Sequence, residues 1–419
     1  MSLSHPYPAP LETWWRERAR RMLNLSSAQD CLQLLEPDVQ HLSDLFTTRR
    51  SAGFGGYDED PRALAAYGLF FFPQTFTRVR FPLVELLEYR GWKPPTHRPL
   101  RIMDLGTGTG SALFGAVRLL QDLPGISELE ATAVDQSAES LRIARAIARD
   151  LFELWPRTTW DMHKGDLAQP GTWPASPRQW DLIMLSFSFN EAFLEQSTER
   201  QEQWLEALAH RLTPGGVLLL IEPALRETSE RLELLRDGVM QGEEWTILGP
   251  CLHHRPCPLL RSGSFWCHEV RRWKPPESLV SINRKLYRSI ETLKFSYLAL
   301  KHGSPGQRER AEGDAGHLRL IAPMTEVKGK FITSGCAADG NRYGYELQTR
   351  GLSKSQKKEW KRIERGDILD ISALTPLGSG ETLRLTGLNA LRRHYQPAHA
   401  REEATPLVEA DTDEAASPE

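Results

Sequence analysis

Between Leu100 and about Leu320, strand-like runs alternate with helix-like ones, and this alternation constrains the fold more than any other feature of the chain. Arg101 to Leu105, Leu129 to Val134, Thr158 to His163, Leu182 to Phe187 and Val217 to Ile221 read as strands. Ser111 to Leu120, Ala138 to Leu154 and Glu199 to Arg211 read as helices. Thr213-Pro214-Gly215-Gly216 reads as a tight turn leading into the last strand. The pattern predicts an α/β fold, a mostly parallel, doubly wound sheet covered on both faces.

Asp104-Leu105-Gly106-Thr107-Gly108-Thr109-Gly110 closes the first strand and opens the first helix. Gly106, Gly108 and Gly110 suit a backbone that must turn sharply and approach a ligand with no Cβ in the way. The helix that follows offers free N–H groups to a carboxylate or phosphate. Asp135 ends the second strand, where a carboxylate can accept two ribose hydroxyls. Asp166 follows the third, where it can accept from an adenine amine; the plainer reading is that all three aspartates merely end strands. A dinucleotide site would show Gly-x-Gly-x-x-Gly. The Gly-x-Gly-x-Gly found here, with Asp104, Asp135, Asp166 and the Pro214 to Gly216 turn, resembles class I S-adenosylmethionine-dependent methyltransferases over Leu100 to Leu320. That resemblance implies a Rossmann-like methyltransferase sheet and S-adenosylmethionine as cofactor.

Four of five cysteines, Cys251, Cys257, Cys267 and Cys336, fall in the second half among His, Pro and Trp; Cys31 lies far upstream in a helical pattern and reads as a small buried residue. Cys-x-x-Cys knuckles of the zinc-finger type are absent. The long, irregular spacing leaves zinc and a cubane cluster both open, with His253, His254 and His268 as alternative ligands and ordinary buried thiols as the plainer reading. Gly249-Pro250-Cys251-Leu252-His253-His254-Arg255-Pro256-Cys257-Pro258-Leu259, Phe265-Trp266-Cys267-His268 and Phe295-Ser296-Tyr297-Leu298 resemble the small-ribosomal-subunit assembly methyltransferase-like family, whose best-known members are mitochondrial. Ala65-Ala66-Tyr67 through Pro73, Gly329-Lys330-Phe331-Ile332 and Asp339-Gly340 extend the match from about Arg62 to Ile371. Leu252, where a Pro is common, and Phe265, where an acidic residue is often found, depart from the pattern without removing a ligand. The resemblance implies a [4Fe–4S] cluster on Cys251, Cys257, Cys267 and Cys336. It also implies binding to the small ribosomal subunit, with rRNA as partner.

Four regions are expected: a helical one at 1–97; a methyltransferase core at 98–322 with a cysteine-rich insertion at about 248–276; a small basic β/α domain at 323–395; and a disordered acidic tail at 396–419. Helices are expected at Leu11 to Leu23, Ala28 to Phe46 and Arg62 to Tyr89, the last broken near Pro73. In the C-terminal part a hairpin is expected from Lys328 to Ser334 and Arg342 to Gln348, with Cys336 in its turn, and a short strand at Ile368 to Ile371. If Ser353 to Ile363 is helical, Lys354, Lys357, Lys358, Lys361 and Arg365 form one basic face, either plainly solvated or set against phosphates. No secretory signal or membrane-length apolar run is present, so the expectation is a cytoplasmic protein with reduced cysteines, mitochondrial only if eukaryotic, and a monomer.

No catalytic base can be named. Ser186-Phe187-Ser188-Phe189-Asn190-Glu191 stands where methyltransferases acting on base nitrogens often carry an Asn/Asp-Pro-Pro-aromatic motif. Asn190 or Glu191 touching a substrate, with Phe187 or Phe189 stacked on a base, competes with a plain core role. Cys257-Pro258 as a cytosine-attacking nucleophile is rejected, because it falls too late in the chain. Two functions remain: an rRNA methyltransferase, or an RNA-binding assembly factor that keeps the fold and transfers nothing. A zinc-containing methyltransferase with another substrate is a further alternative.

Overall fold

The computed structural model describes residues 6–47, 59–175, 179–193, 198–240, 242, 244–263, 265–284, 286–288, 290–303, 316–377, 382–386 and 391–397. The acidic tail expected from residue 396 thus lies outside the described residues beyond 397.

The first sheet contains β1 (Leu100–Leu105), β2 (Leu129–Asp135), β3 (Thr158–Lys164), β4 (Trp180–Ser186), β5 (Leu212–Glu222), β6 (Trp245–Gly249), β7 (Glu269–Arg272) and β8 (Thr292–His302). Its order is β3-β2-β1-β4-β5-β8-β6, with β7 also on β8. The first five strands pair in parallel, and β8 enters antiparallel between β5 and β6. This is the expected doubly wound, Rossmann-like sheet. Strand order reverses between β1 and β4, the crevice where open α/β sheets bind ligands. The Thr213–Gly216 turn is absorbed into β5 as an irregularity: Trp180 faces Leu212, but Leu182 faces Val217.

The N-terminal region is helical, at Ala9–Met22, Ala28–Leu34, Glu36–Thr47, Pro61–Ala66, Phe72–Arg78 and Arg80–Glu88. The helix expected from Ala28 to Phe46 is therefore two, divided at Leu35 just ahead of Pro37. Tyr67–Phe71 forms a π turn ahead of Pro73. Pro73 has no N–H to give the Leu69 carbonyl, and a widened turn absorbs the missing bond, so the helical run continues through Pro73. Gly68 lets Trp15 lie directly against the backbone; a Cβ there would stand 2.0 Å from the indole. One apolar core joins these helices to the sheet face carrying Ile102, Ala131, Met184 and Leu219. Met103, Val134, Ile183 and Leu218 face a second core on the other side.

A second sheet collects β9 (His317–Leu320), β10 (Thr325–Val327), β11 (Lys330–Ala337), β12 (Arg342–Gln348), β13 (Ile368–Asp370), β14 (Thr375–Leu377), β15 (Thr382–Thr386) and β16 (Arg392–Tyr395). Its own core includes Phe331, Tyr345, Leu347 and Trp360. β9 belongs to this sheet, so the sheet begins ahead of the expected boundary at 323. Cys336 lies in strand β11, opposite Arg342 and Arg319, rather than in the hairpin turn. The basic helix is shorter than expected, Lys354–Trp360, with a Ser353/Gln356 capping box at its start. Its single basic face is not formed: Lys361 pairs with Glu326 at 2.7 Å, and Arg365 turns inward to the His268 carbonyl.

The two sheets are tied by a buried charge network. Arg319 of β9 donates to both oxygens of Glu85 at 2.6 and 3.0 Å and to Glu269 of β7 at 2.6 Å. Arg271 completes it on the other oxygen of Glu269.

Candidate functional site

The glycine loop occupies the switch point. Gly106, Gly108 and Gly110 have φ of 72°, 55° and 89°, which side chains with a Cβ adopt at a cost. A Cβ on Gly106 would stand 2.6 Å from that of Ser188 and 2.8 Å from Leu167, so the loop leaves room for backbone only. Asp104 is buried, and one oxygen accepts from the Thr107 hydroxyl at 2.8 Å while the other is without a partner. Burial raises its carboxyl to about 7.

Asp135 meets the loop directly, accepting from Gly108 N–H at 2.7 Å and Ser137 N–H at 2.8 Å. Asp166 accepts from Ala168 N–H at 2.8 Å and from the Gln169 amide at 2.7 Å. Asp104, the glycines and Asp135 are thus gathered in one place, while the bonds described for Asp166 stay within its own turn.

The stretch after β4 divides. Phe187 has φ of 66°, a conformation that a bulky residue rarely takes, and its ring lies 5.2 Å below the Arg78 guanidinium. Phe189 packs into the second core against Phe193 and Trp204. Asn190 is buried; its N–H donates to Glu222 at 3.2 Å and its amide to the Thr228 carbonyl at 3.4 Å. Phe189 and Asn190 are therefore structural, and Phe187 is left at the cleft.

The second site is a cavity of about 50 Å³ lined by all four clustered cysteines. Cys251 follows β6, Cys257 opens the short helix Pro258–Ser262, Cys267 precedes β7, and Cys336 comes from the second sheet. Cys257, Cys267 and Cys336 pack together with Leu259 and Ile321. Among the described residues, no three His, Cys, Asp or Glu side chains are gathered as a single ion would need. The four cysteines instead line one cavity.

Helix Arg226–Val239 supplies the supporting shell, and sequence reasoning passed it over. Glu233 accepts from Cys267 N–H at 2.6 Å, and Asp237 accepts from Cys257 N–H at 2.9 Å. The four-residue spacing of two acids on one helix face was the available signal. Burial raises Glu233 to about 7 and Cys257 to about 12, and moves Cys267 and Cys336 the same way. His253 lines the cavity, but its Nδ1 is held by Arg236 and Arg255, and burial lowers the ring to about 4. His268 is likewise lowered to about 4, chiefly by burial, and its Nδ1 meets the Trp266 carbonyl.

Comparison with known proteins follows the same geography. The human "Ribosome assembly protein METTL17, mitochondrial" is 26% identical over 296 residues, which cover 67% of this chain. The chain spans 57% of that relative's length. Solved structures overlay loosely. An S-adenosylmethionine-dependent methyltransferase from Clostridium acetobutylicum is 13% identical, covering 72% of this chain and 80% of its own, with a TM-score of 0.27. YjhP from E. coli is 15% identical, covering 55% and 94%, with a TM-score of 0.30. A family model described as mitochondrial small ribosomal subunit Rsm22 matches residues 61–369, a span that takes in the glycine loop and all four clustered cysteines, and the chain belongs to that family.

Proposed function

We propose that the chain binds S-adenosylmethionine at the glycine loop, holds a [4Fe–4S] cluster on Cys251, Cys257, Cys267 and Cys336, and acts on or binds small-subunit rRNA during ribosome assembly. The observation that carries this reading is the convergence of Cys251, Cys257 and Cys267 with Cys336 of the second sheet on one cavity. Zinc–sulfur bonds of about 2.3 Å would draw four sulfurs together around a point. A space walled by thiols and by Leu232, Leu259 and Ile321 suits the larger cubane, whose donors are soft thiolates. Such a cluster supplies a cross-link between the first sheet and the second.

At the other site the cofactor supplies an electrophilic methyl group. The orphaned oxygen of Asp104 is an acceptor available to it, and Asp135, held against the Gly108 N–H, sets a second carboxylate beside the loop. The printed name of the human relative supports the ribosomal reading, and the exposed Lys354 and Lys358 add a phosphate-facing surface.

Absence of methyl transfer is a second reading, and the burial of Phe189 and Asn190 favours it: two residues of the segment where an acceptor motif would stand are spent on packing. Three measurements test the whole. Protein purified without oxygen should be brown, with four irons per chain; a colourless protein with one zinc refutes the cluster. Calorimetric titration should show S-adenosylmethionine binding. Label transferred to immature small-subunit RNA then decides between enzyme and binding factor.

A further inference from the structure

From Ala63 to Leu86 every side chain is buried except four. Tyr67, Phe71, Gln74 and Arg78 are half-exposed, at spacings of four, three and four residues, so one helix face forms the wall of a cleft. At one end the Tyr67 hydroxyl lies 3.3 Å from the hydroxyl of Ser111, the first residue of the helix after the glycine loop. At the other, Arg78 covers the Phe187 ring just beyond β4. The wall therefore faces the carboxyl ends of β1 and β4, across the switch point.

Arg78 is unusual there. One Nη donates to Gln74 at 3.0 Å, and Nε is buried without a hydrogen-bond partner. Among the described residues no carboxylate pairs with it, and burial without a counter-charge lowers its guanidinium to about 10. A half-exposed guanidinium with no counter-charge is open to an anionic partner. Phe187, held at positive φ directly beneath, fixes the plane of the fork, and strain of this kind gathers at ligand sites. The rest of the cleft is acidic, since Asp104, Asp135 and Glu191 all bear on Tyr67. A zwitterionic ligand would find partners there for its cationic groups, whereas its carboxylate needs a cation.

We propose that Arg78 receives the carboxylate of the amino-acid part of the S-adenosyl ligand, in a bidentate pair, and so selects ligands that carry that group. This rests on the cofactor reading above.

The test is calorimetric titration of the full chain and of Arg78→Met and Arg78→Lys with S-adenosylhomocysteine and with 5′-methylthioadenosine, which lacks the amino-acid part. The unaltered chain should prefer S-adenosylhomocysteine by about tenfold to a hundredfold. Arg78→Met should lose that preference while binding 5′-methylthioadenosine as before, which also shows the variant is folded; Arg78→Lys should fall between. No preference in the unaltered chain overturns the proposal without recourse to a variant, and so does an equal weakening of both ligands in Arg78→Met. A retained preference in Arg78→Met alongside weakened binding of small-subunit RNA would make Arg78 a phosphate contact and also overturn it. If the unaltered chain binds neither ligand, the cofactor reading itself falls and takes this one with it.

Discussion

Replacing Arg319 by Met probes the joint between the two sheets. Its side chain is 4% exposed, and those of Glu85 and Glu269 are each 3% exposed. In the native chain Arg319 and its neighbour Arg90 hold Glu85 at about 2 against an ordinary 4.5, although burial alone would push it upward. That difference corresponds to ~3 kcal/mol, and removing one partner of a buried pair costs about 3–5 kcal/mol. The sign follows from the direction of the shift. A lowered carboxyl contributes stability above pH 4.5, lost as pH falls towards 2. In Arg319→Met Glu85 loses its main counter-charge and moves upward instead, while Glu269 keeps Arg271. The contribution of Glu85 is then best at low pH and lost as pH rises, so the variant should be weakest near neutrality and recover towards pH 4. Because a chain with several cores does not unfold in one step, hydrogen exchange is the suitable assay. Amides of β9 and β11 should exchange about two to three orders of magnitude faster at pH 7. Exchange within about threefold of the unaltered chain, or an unchanged pH trend, would refute the claim that this network joins the sheets.

Gly106→Ala should abolish binding of S-adenosyl ligands by calorimetry, because the new methyl meets Ser188 at 2.6 Å and φ is 72°. Since burial holds Cys257 at about 12 and raises Cys267 and Cys336, these thiols are protonated at pH 7; anaerobic reconstitution should release protons and weaken as pH falls, followed by pH-stat and by visible absorbance. Cys257→Ser should bleach the protein and raise protease cleavage in the second sheet. Lys354→Glu with Lys358→Glu should weaken RNA binding uniformly across sequences and flatten its salt dependence by a slope of roughly 2, measured by filter binding at several salt concentrations.

Much of the first sheet was legible because each strand is a short apolar run bounded by turn residues, and local pattern suffices for that. β6, β7 and the true length of β11 were not, since their strand character comes from pairing with β8, β9 and β12 rather than from their own spacing. The helix Lys354–Trp360 stops early because Trp360 and Ile363 turn into the second sheet's own core, an anchoring that a count of lysines does not reveal.

From residue order alone came the identity of the donors: glycines and aspartates at strand ends, and soft thiols in one half of the chain. Those are chemical properties of side chains, and they hold wherever the chain folds. Tertiary structure decided who meets whom. It closed four cysteines around one cavity, set Glu233 and Asp237 behind them, and buried Asn190. It also carried Arg78 from the N-terminal helices to the Phe187 ring just beyond β4. Such contacts join residues far apart in sequence, and the burial that gives them their energy exists only once both sheets are assembled.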